Sequence, residues 1–182
     1  MSLINSPSQT VGPFFHIGFD RFYVNDLTAT GVSGERVIIS GMIMDGDGKP
    51  INDAVIEIWQ ADAQGHYVSA EHAAFKGFGR IATDEHGAYS FVTIKPGRVA
   101  GADGELQAPH IAVSIFMRGL LKRLVTRIYF PDEASNHADT ILELIPPERR
   151  ATLMANKIVG EAAKLEWNIV VQGKHETVFF DC

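Results

Sequence analysis

The chain has 182 residues, 46% of them hydrophobic, a formal net charge of −6 and a single cysteine. That size and composition imply one globular domain over residues 1–182 with a sizeable core, and they argue against disorder and against a broad nucleic-acid footprint. One cysteine, Cys182, forms no internal disulfide, and no apolar run approaches the roughly 18 residues that a membrane span needs.

The opening M-S-L-I-N-S-P-S-Q-T lacks the basic and apolar regions of a secretion signal, so a cytoplasmic location is expected. Residues 1–35 read as an irregular N-terminal arm. It contains Pro7, Pro13 and the aromatic run F-F-H-I-G-F, which suits an arm that packs on something. Arg36–Met44 is a strand candidate, and the turn-rich D-G-D-G-K-P, Asp45–Pro50, follows it. Ala54–Gln60 is the next strand. Gly79–Thr83 and Ala88–Thr93 flank D-E-H-G, Asp84–Gly87, as a hairpin.

His110–Met117 and Leu124–Phe130 form a further pair joined by R-G-L-L-K-R. Alternation places His110 opposite Ile111, Val113 and Ile115. It groups Val125, Arg127 and Tyr129 on one side of their strand. Pro146-Pro147 before E-R-R-A-T-L-M-A-N-K signals one short late helix. Leu165–Gln172 is a late strand, and Thr177–Phe180 is a last short one. Many short strands with one helix predict a mostly β fold, an antiparallel prealbumin-like β-sandwich.

Few residues announce chemistry. No G-x-S-x-G elbow, phosphate-binding loop or dinucleotide fingerprint occurs. Seven scattered histidines and one terminal cysteine give no zinc spacing. His66, His72, His86 and His137 sit in polar, turn-like contexts, His175 in an exposed one, and His16 lies in the aromatic arm. Arg127, within L-V-T-R-I-Y-F, is an arginine inside an apolar strand. Such a group is costly unless paired or open to an anion. It is either one member of a structural ion pair or edge, or a guanidinium aimed at a carboxylate.

Four stretches then occur in order: I-W-Q-A-D-A-Q-G-H-Y (Ile58–Tyr67), G-F-G-R-I-A-T-D-E-H-G-A-Y-S-F-V-T-I-K-P-G (Gly77–Gly97), A-P-H-I-A-V-S-I-F (Ala108–Phe116) and T-R-I-Y-F (Thr126–Phe130). Together they resemble the intradiol ring-cleavage dioxygenases. P-S-Q-T-V-G-P-F-F, Pro7–Phe15, and G-K-H-E-T-V-F-F-D, Gly173–Asp181, extend the resemblance over nearly the whole chain. The resemblance implies an enzyme that opens a catechol ring between its hydroxyls with both atoms of O2. The catalytic chain of that family holds Fe(III) with two tyrosines and two histidines, hard anionic phenolates suiting a hard cation.

This chain departs from that pattern. The His-x-His pair reads His110-Ile111-Ala112. K-P-G-R-V-A-G carries Arg98-Val99 where a tyrosine is expected, and Ser69–Phe78 contains no tyrosine. The resemblance therefore implies a non-catalytic α-type chain with no catalytic residues and no metal of its own. Its partner would be a homologous β chain that carries the iron. By motif position, Thr10, Gly12 and Pro13 would line the substrate entrance at the interface of the two chains, and Arg127 would supply positive charge to an aromatic acid. His110 would remain as a structural histidine beside a vestigial pocket. The competing expectation is a prealbumin-like binding or assembly module with no part in catalysis.

Overall fold

In the computed structural model, described over residues 5–28, 32–67, 75–102, 104–161 and 163–181, two β-sheets enclose the core. His72, most of the Ser69–Phe78 stretch, Cys182 and the side chain of His16 lie outside the described residues. The strands are β1 (Arg36–Met44), β2 (Val55–Trp59), β3 (Phe78–Ala82), β4 (Ala88–Ile94), β5 (Val99–Ala100), β6 (Leu106–Gln107), β7 (His110–Phe116), β8 (Leu124–Tyr129), β9 (Asn156–Lys157), β10 (Lys164–Glu166) and β11 (Ile169–Val170). One sheet has the order β3-β2-β7-β8 and is antiparallel throughout. The other is built on β1, with β4 antiparallel on one side and β10 and β11 parallel on the other; β9 lies beyond β10.

Alternation decides what is buried. Ile56 and Ile58 of β2 and Ile111, Val113 and Ile115 of β7 face Ile39, Ile43 and Phe91 of the other sheet in one core cluster. Burying each isoleucine contributes roughly 1.5–3 kcal/mol. The outward residues of β7, namely Ala112, Ser114 and Phe116, are half-buried. A satellite cluster of Ala108, Tyr129, Leu142, Ile145 and Leu153 covers the Tyr129 end of that outer face.

Several local expectations are corrected. The arm is not wholly irregular: it carries a short helix α1 (Pro13–Ile17) and a 3-10 turn at Asp20–Phe22. The late helix is only α3 (Pro147–Arg150), running into a 3-10 turn at Ala151–Leu153. Ahead of it lies an unanticipated helix α2 (Thr140–Glu143), capped by Asp139. Thr177–Phe180 runs beside β8 with the single bridge Val125–Phe180 and forms no strand.

The expected strand Leu165–Gln172 is split at Trp167-Asn168, and the cause is a crossing of side chains. Tyr89, which pairs with Gly41, reaches across β1 and donates its hydroxyl to the Trp167 carbonyl at 2.6 Å. A Cβ on Gly41 would lie 1.9 Å from that carbonyl oxygen and 3.0 Å from the Tyr89 hydroxyl. Asn168 repairs the interrupted ladder, its Oδ1 accepting the Met42 N–H at 2.9 Å. Trp167 itself is buried and donates its indole N–H to the Thr152 carbonyl at 2.9 Å.

Candidate functional site

The outer face of the β3-β2-β7-β8 sheet is organised by register. Phe78, Trp59, Ala112 and Arg127 stand side by side in one row, Arg80, Glu57, Ser114 and Val125 in the next, and His110 pairs with Tyr129 beyond. Tyr67 stacks on Trp59 with centroids 5.8 Å apart and planes within 9°. Burial raises the Tyr67 phenol above its ordinary value, against the pull of the nearby Arg127. The small side chain of Ala112 stands between Trp59 and Arg127.

Arg127 is half-buried and donates from Nη1 to Gln107 Oε1 at 3.0 Å and toward the Tyr129 hydroxyl at 3.4 Å. Its guanidinium carbon lies 5.9 Å from the Phe180 ring centroid. Both of its bonding partners are neutral, and among the described residues no carboxylate pairs with it directly. Of the two readings of this arginine, the direct structural ion pair is the one that the described residues do not supply.

The charge is compensated one step away. Tyr129 donates to Asp139 Oδ1 at 3.2 Å. Asp139 is fully buried, and it also accepts the N–H groups of Ile141 (3.0 Å), Leu142 (2.9 Å) and, on Oδ2, Ala108 (2.7 Å). One carboxylate thereby caps α2, fixes the segment leading into β7 and orients the tyrosine against Arg127. Burial is the main cause that raises the Tyr129 phenol, so it stays protonated at neutral pH.

His110 is buried, its ring 5.7 Å from that of Tyr129. Burial first, then the Arg127 charge, lowers its pKa to about 4, partly offset by its bond to the Ala108 carbonyl and by Asp139. Nδ1 lies 2.8 Å from that carbonyl, which can only accept, so in the neutral ring Nδ1 carries the proton. The histidine is thus hydrogen-bonded within its own segment.

These residues do not fit a ferric ion. The centre offers one neutral imidazole, the methyl of Ala112 where a second imidazole is implied, a guanidinium that repels cations, and a protonated tyrosine bound to Asp139. Among the described residues no group of three or more His, Cys, Asp or Glu converges on a point.

The other sequence-derived site residues lie at the opposite end of the sheet. Thr10 pins the arm to the turn between β7 and β8, its hydroxyl accepting the Gly119 N–H at 2.7 Å. Gly12 and Pro13 open α1, whose Phe15 packs on Phe116 with centroids 5.3 Å apart. Farther along, Arg80 donates to Glu57 and lies 4.6 Å from the Phe19 ring centroid, which holds the arm across the sheet. Beside α1 is a cavity of about 330 Å³ lined by Gly12, Pro13, Asn52, Asp53 and Arg118, with Val11, Phe15 and Ile17 as apolar wall. A Cβ on Gly12 would meet nothing within 4 Å, so no contact within the chain explains the glycine.

Thr10, Gly12 and Pro13 are thus together, whereas Arg127 is not with them. Arg127 pairs with Ala112, and the turn that Thr10 holds lies beyond the Ile115–Leu124 pair. Those three residues of strand amount to about 10 Å. Sequence reasoning missed Asp139 and Gln107. The signal for Asp139 was present, an aspartate ahead of T-I-L-E, as befits an N-cap. Gln107 ends a two-residue strand, too short for alternation to say which way it points.

Comparison with known proteins agrees with this architecture. A family model described as a dioxygenase matches residues 24–173. The chain is 40% identical to the protocatechuate 3,4-dioxygenase alpha chain of Burkholderia cepacia, over 99% of this chain and 98% of that one. It is 33% identical to the beta chain from the same organism, over 93% of this chain and 77% of that one. The solved 3-chlorocatechol 1,2-dioxygenase of Rhodococcus opacus 1CP superposes with a TM-score of 0.65 at 20% identity, over 93% of this chain and 68% of the other, which is a likeness of fold. With a matching domain and a near-full-length relative, the chain belongs to the intradiol ring-cleavage dioxygenases.

Proposed function

We propose that this chain is the non-catalytic α subunit of a protocatechuate 3,4-dioxygenase. In the assembly, a homologous β subunit carries the non-haem iron that converts 3,4-dihydroxybenzoate and O2 into 3-carboxy-cis,cis-muconate. The observation that carries this reading is a central face whose donor set cannot hold ferric iron, in a chain 40% identical to an alpha chain over nearly its whole length. A chain that keeps the fold and lacks the ligands serves the reaction by shape, charge and assembly.

In this reading Thr10, Gly12 and Pro13 form the α wall of the substrate entrance, and the bare backbone at Gly12 leaves room for substrate or the β subunit to approach. Arg127 contributes positive charge toward the carboxylate of the aromatic acid. The site of action is cytoplasmic, in keeping with catabolism of a small acid; no helix among the described residues is long and apolar enough to cross a membrane.

The test is purification of the chain alone and together with its β partner, with iron content and ring cleavage measured for both. The expected outcome is an iron-free, inactive single chain and an active complex containing iron and both chains. Stoichiometric iron and turnover in the isolated chain would refute the non-catalytic assignment. An equally active β subunit without this chain would favour the assembly-module reading.

A further inference from the structure

The central face that lacks a ligand set for iron keeps a guanidinium with a free edge. Both hydrogen bonds of Arg127 leave from one nitrogen, Nη1, toward Gln107 and Tyr129. Among the described residues Nε and Nη2 donate to nothing. Those two N–H groups form the side of the fork to which a carboxylate binds by two parallel hydrogen bonds. The orientation is held at the opposite nitrogen, by Gln107 at 3.0 Å and by Tyr129, itself bonded to the buried Asp139. The carboxylates nearby are engaged elsewhere. Glu57, in the next row of the same face, accepts from Arg80 at 2.7 Å, and Asp139 acts on the arginine only through Tyr129. A half-buried guanidinium without a direct counter-ion draws an anion more strongly than an exposed one, because solvent and salt screen it less.

An aromatic platform stands two strands away on the same face. Trp59 and Tyr67 remain 41% and 44% exposed although they stack on one another. Tyr67 is close enough to Arg127 for that charge to act on its phenol. Trp59, Ala112 and Arg127 occupy one row of adjacent strands, so about 10 Å separates the tryptophan from the arginine, with only a methyl group between them. A planar ring fits that gap, its apolar surface against the aromatic pair and a carboxylate on the free edge of the guanidinium.

We infer that this face is a binding site for an aromatic carboxylate, held by the Nε–Nη2 edge of Arg127 and by the Trp59–Tyr67 pair above the methyl of Ala112. The inference rests on the reading of Arg127 as a receptor for a carboxylate. It places the bound acid on this chain's own sheet, at the opposite end from Thr10 and the Gly12–Pro13 cavity. The acid is there a ligand of this chain and leaves it intact.

The experiment titrates benzoate, a ring and a carboxylate without catechol hydroxyls, into the assembled complex by calorimetry. It is run without O2 and with excess catechol, which occupies the partner's iron through its hydroxyls and lacks the carboxylate. The wild-type complex is expected to bind one benzoate per copy of this chain. Arg127→Gln should weaken that equivalent at least roughly ten-fold, the scale of charge-assisted hydrogen bonds. Ala112→Leu, which fills the floor and keeps the charge, should lose the same equivalent. Acetate, without the ring, and phenol, without the carboxylate, should compete poorly. If Arg127→Gln fails to assemble, Ala112→Leu decides. A wild-type complex with no benzoate equivalent sensitive to either substitution would overturn the inference, as would acetate competing as well as benzoate. A raised KM for 3,4-dihydroxybenzoate in Arg127→Gln with the benzoate equivalent retained would also overturn it, and would assign the arginine to the partner's centre. A wild-type complex without ring cleavage would instead overturn the subunit reading and leave the benzoate result standing.

Discussion

Replacing Asp139 with alanine removes the one carboxylate that ties α2, the approach to β7 and the Arg127 face together. Loss of the helix cap costs about 1 kcal/mol. The Ala108 N–H and the Tyr129 hydroxyl, bonded to Asp139 at 2.7 and 3.2 Å, would be left buried without an acceptor. Each stranded donor costs about 1–3 kcal/mol, so the total with the cap is about 3–7 kcal/mol. In a chain of this length that lowers Tm by roughly 10–20 °C. Asp139→Asn should fall between, because its oxygen can still cap α2 while its NH2 group meets the Ala108 N–H donor to donor. Urea denaturation followed by tryptophan fluorescence measures both. An Asp139→Ala protein within about 1 kcal/mol of wild type would show that water or rearrangement replaces these bonds and that the carboxylate does not organise the face.

Three further outcomes are expected. Because His110 titrates near 4 in the folded chain and near 6.5 when unfolded, the unfolded state binds more protons between those values; stability therefore rises with pH across that window and is flat above it. The whole contribution is about 3 kcal/mol, and His110→Gln should flatten the pH 4–7 stability profile relative to wild type. Gly41→Ala should cost more than about 3 kcal/mol or abolish soluble expression, since the added carbon lands 1.9 Å from the Trp167 carbonyl oxygen; a wild-type Tm would refute the crossing of Tyr89 over β1. Arg127→Ala in the complex should raise KM for the aromatic acid roughly ten-fold with little change in kcat, the scale of one charge-assisted hydrogen bond; unchanged kinetics would assign Arg127 to structure.

Much of this architecture was legible in the sequence because alternation is a local signal. Ile111, Val113 and Ile115 against His110 and Ala112 fixed the inward face of β7, and the same rule sorted Thr126 and Ile128 from Arg127. What escaped depends on contacts distant in sequence. Nothing in L-E-W-N-I-V-V-Q reveals that Tyr89 will bond the Trp167 carbonyl and break the strand there. The four-residue helices α2 and α3 are too short for periodicity to register; α2 is held by buried Leu142, and α3, which buries no residue, is flanked by Ile145 and Leu153 packed against Tyr129. The central face was readable as residues lost, Ala112 above all. The company kept by Arg127 was not, because Gln107 bonds it directly and Asp139 acts on it through Tyr129, both from segments outside the two main sheets.

The hydrogen bond from the Gly119 N–H to the Thr10 hydroxyl closes a loop of 109 residues. Contacts so remote in sequence carry a large closure entropy and reward the chain only once their end points are already in place. The sandwich can therefore form with the arm still unattached, and the corner containing Gly12, Pro13 and Arg118 becomes the last region to acquire its shape. A protein built in that order has a stable body and a separately docked rim. Amide exchange at Gly119 would report the docking of that rim independently of the unfolding of the body.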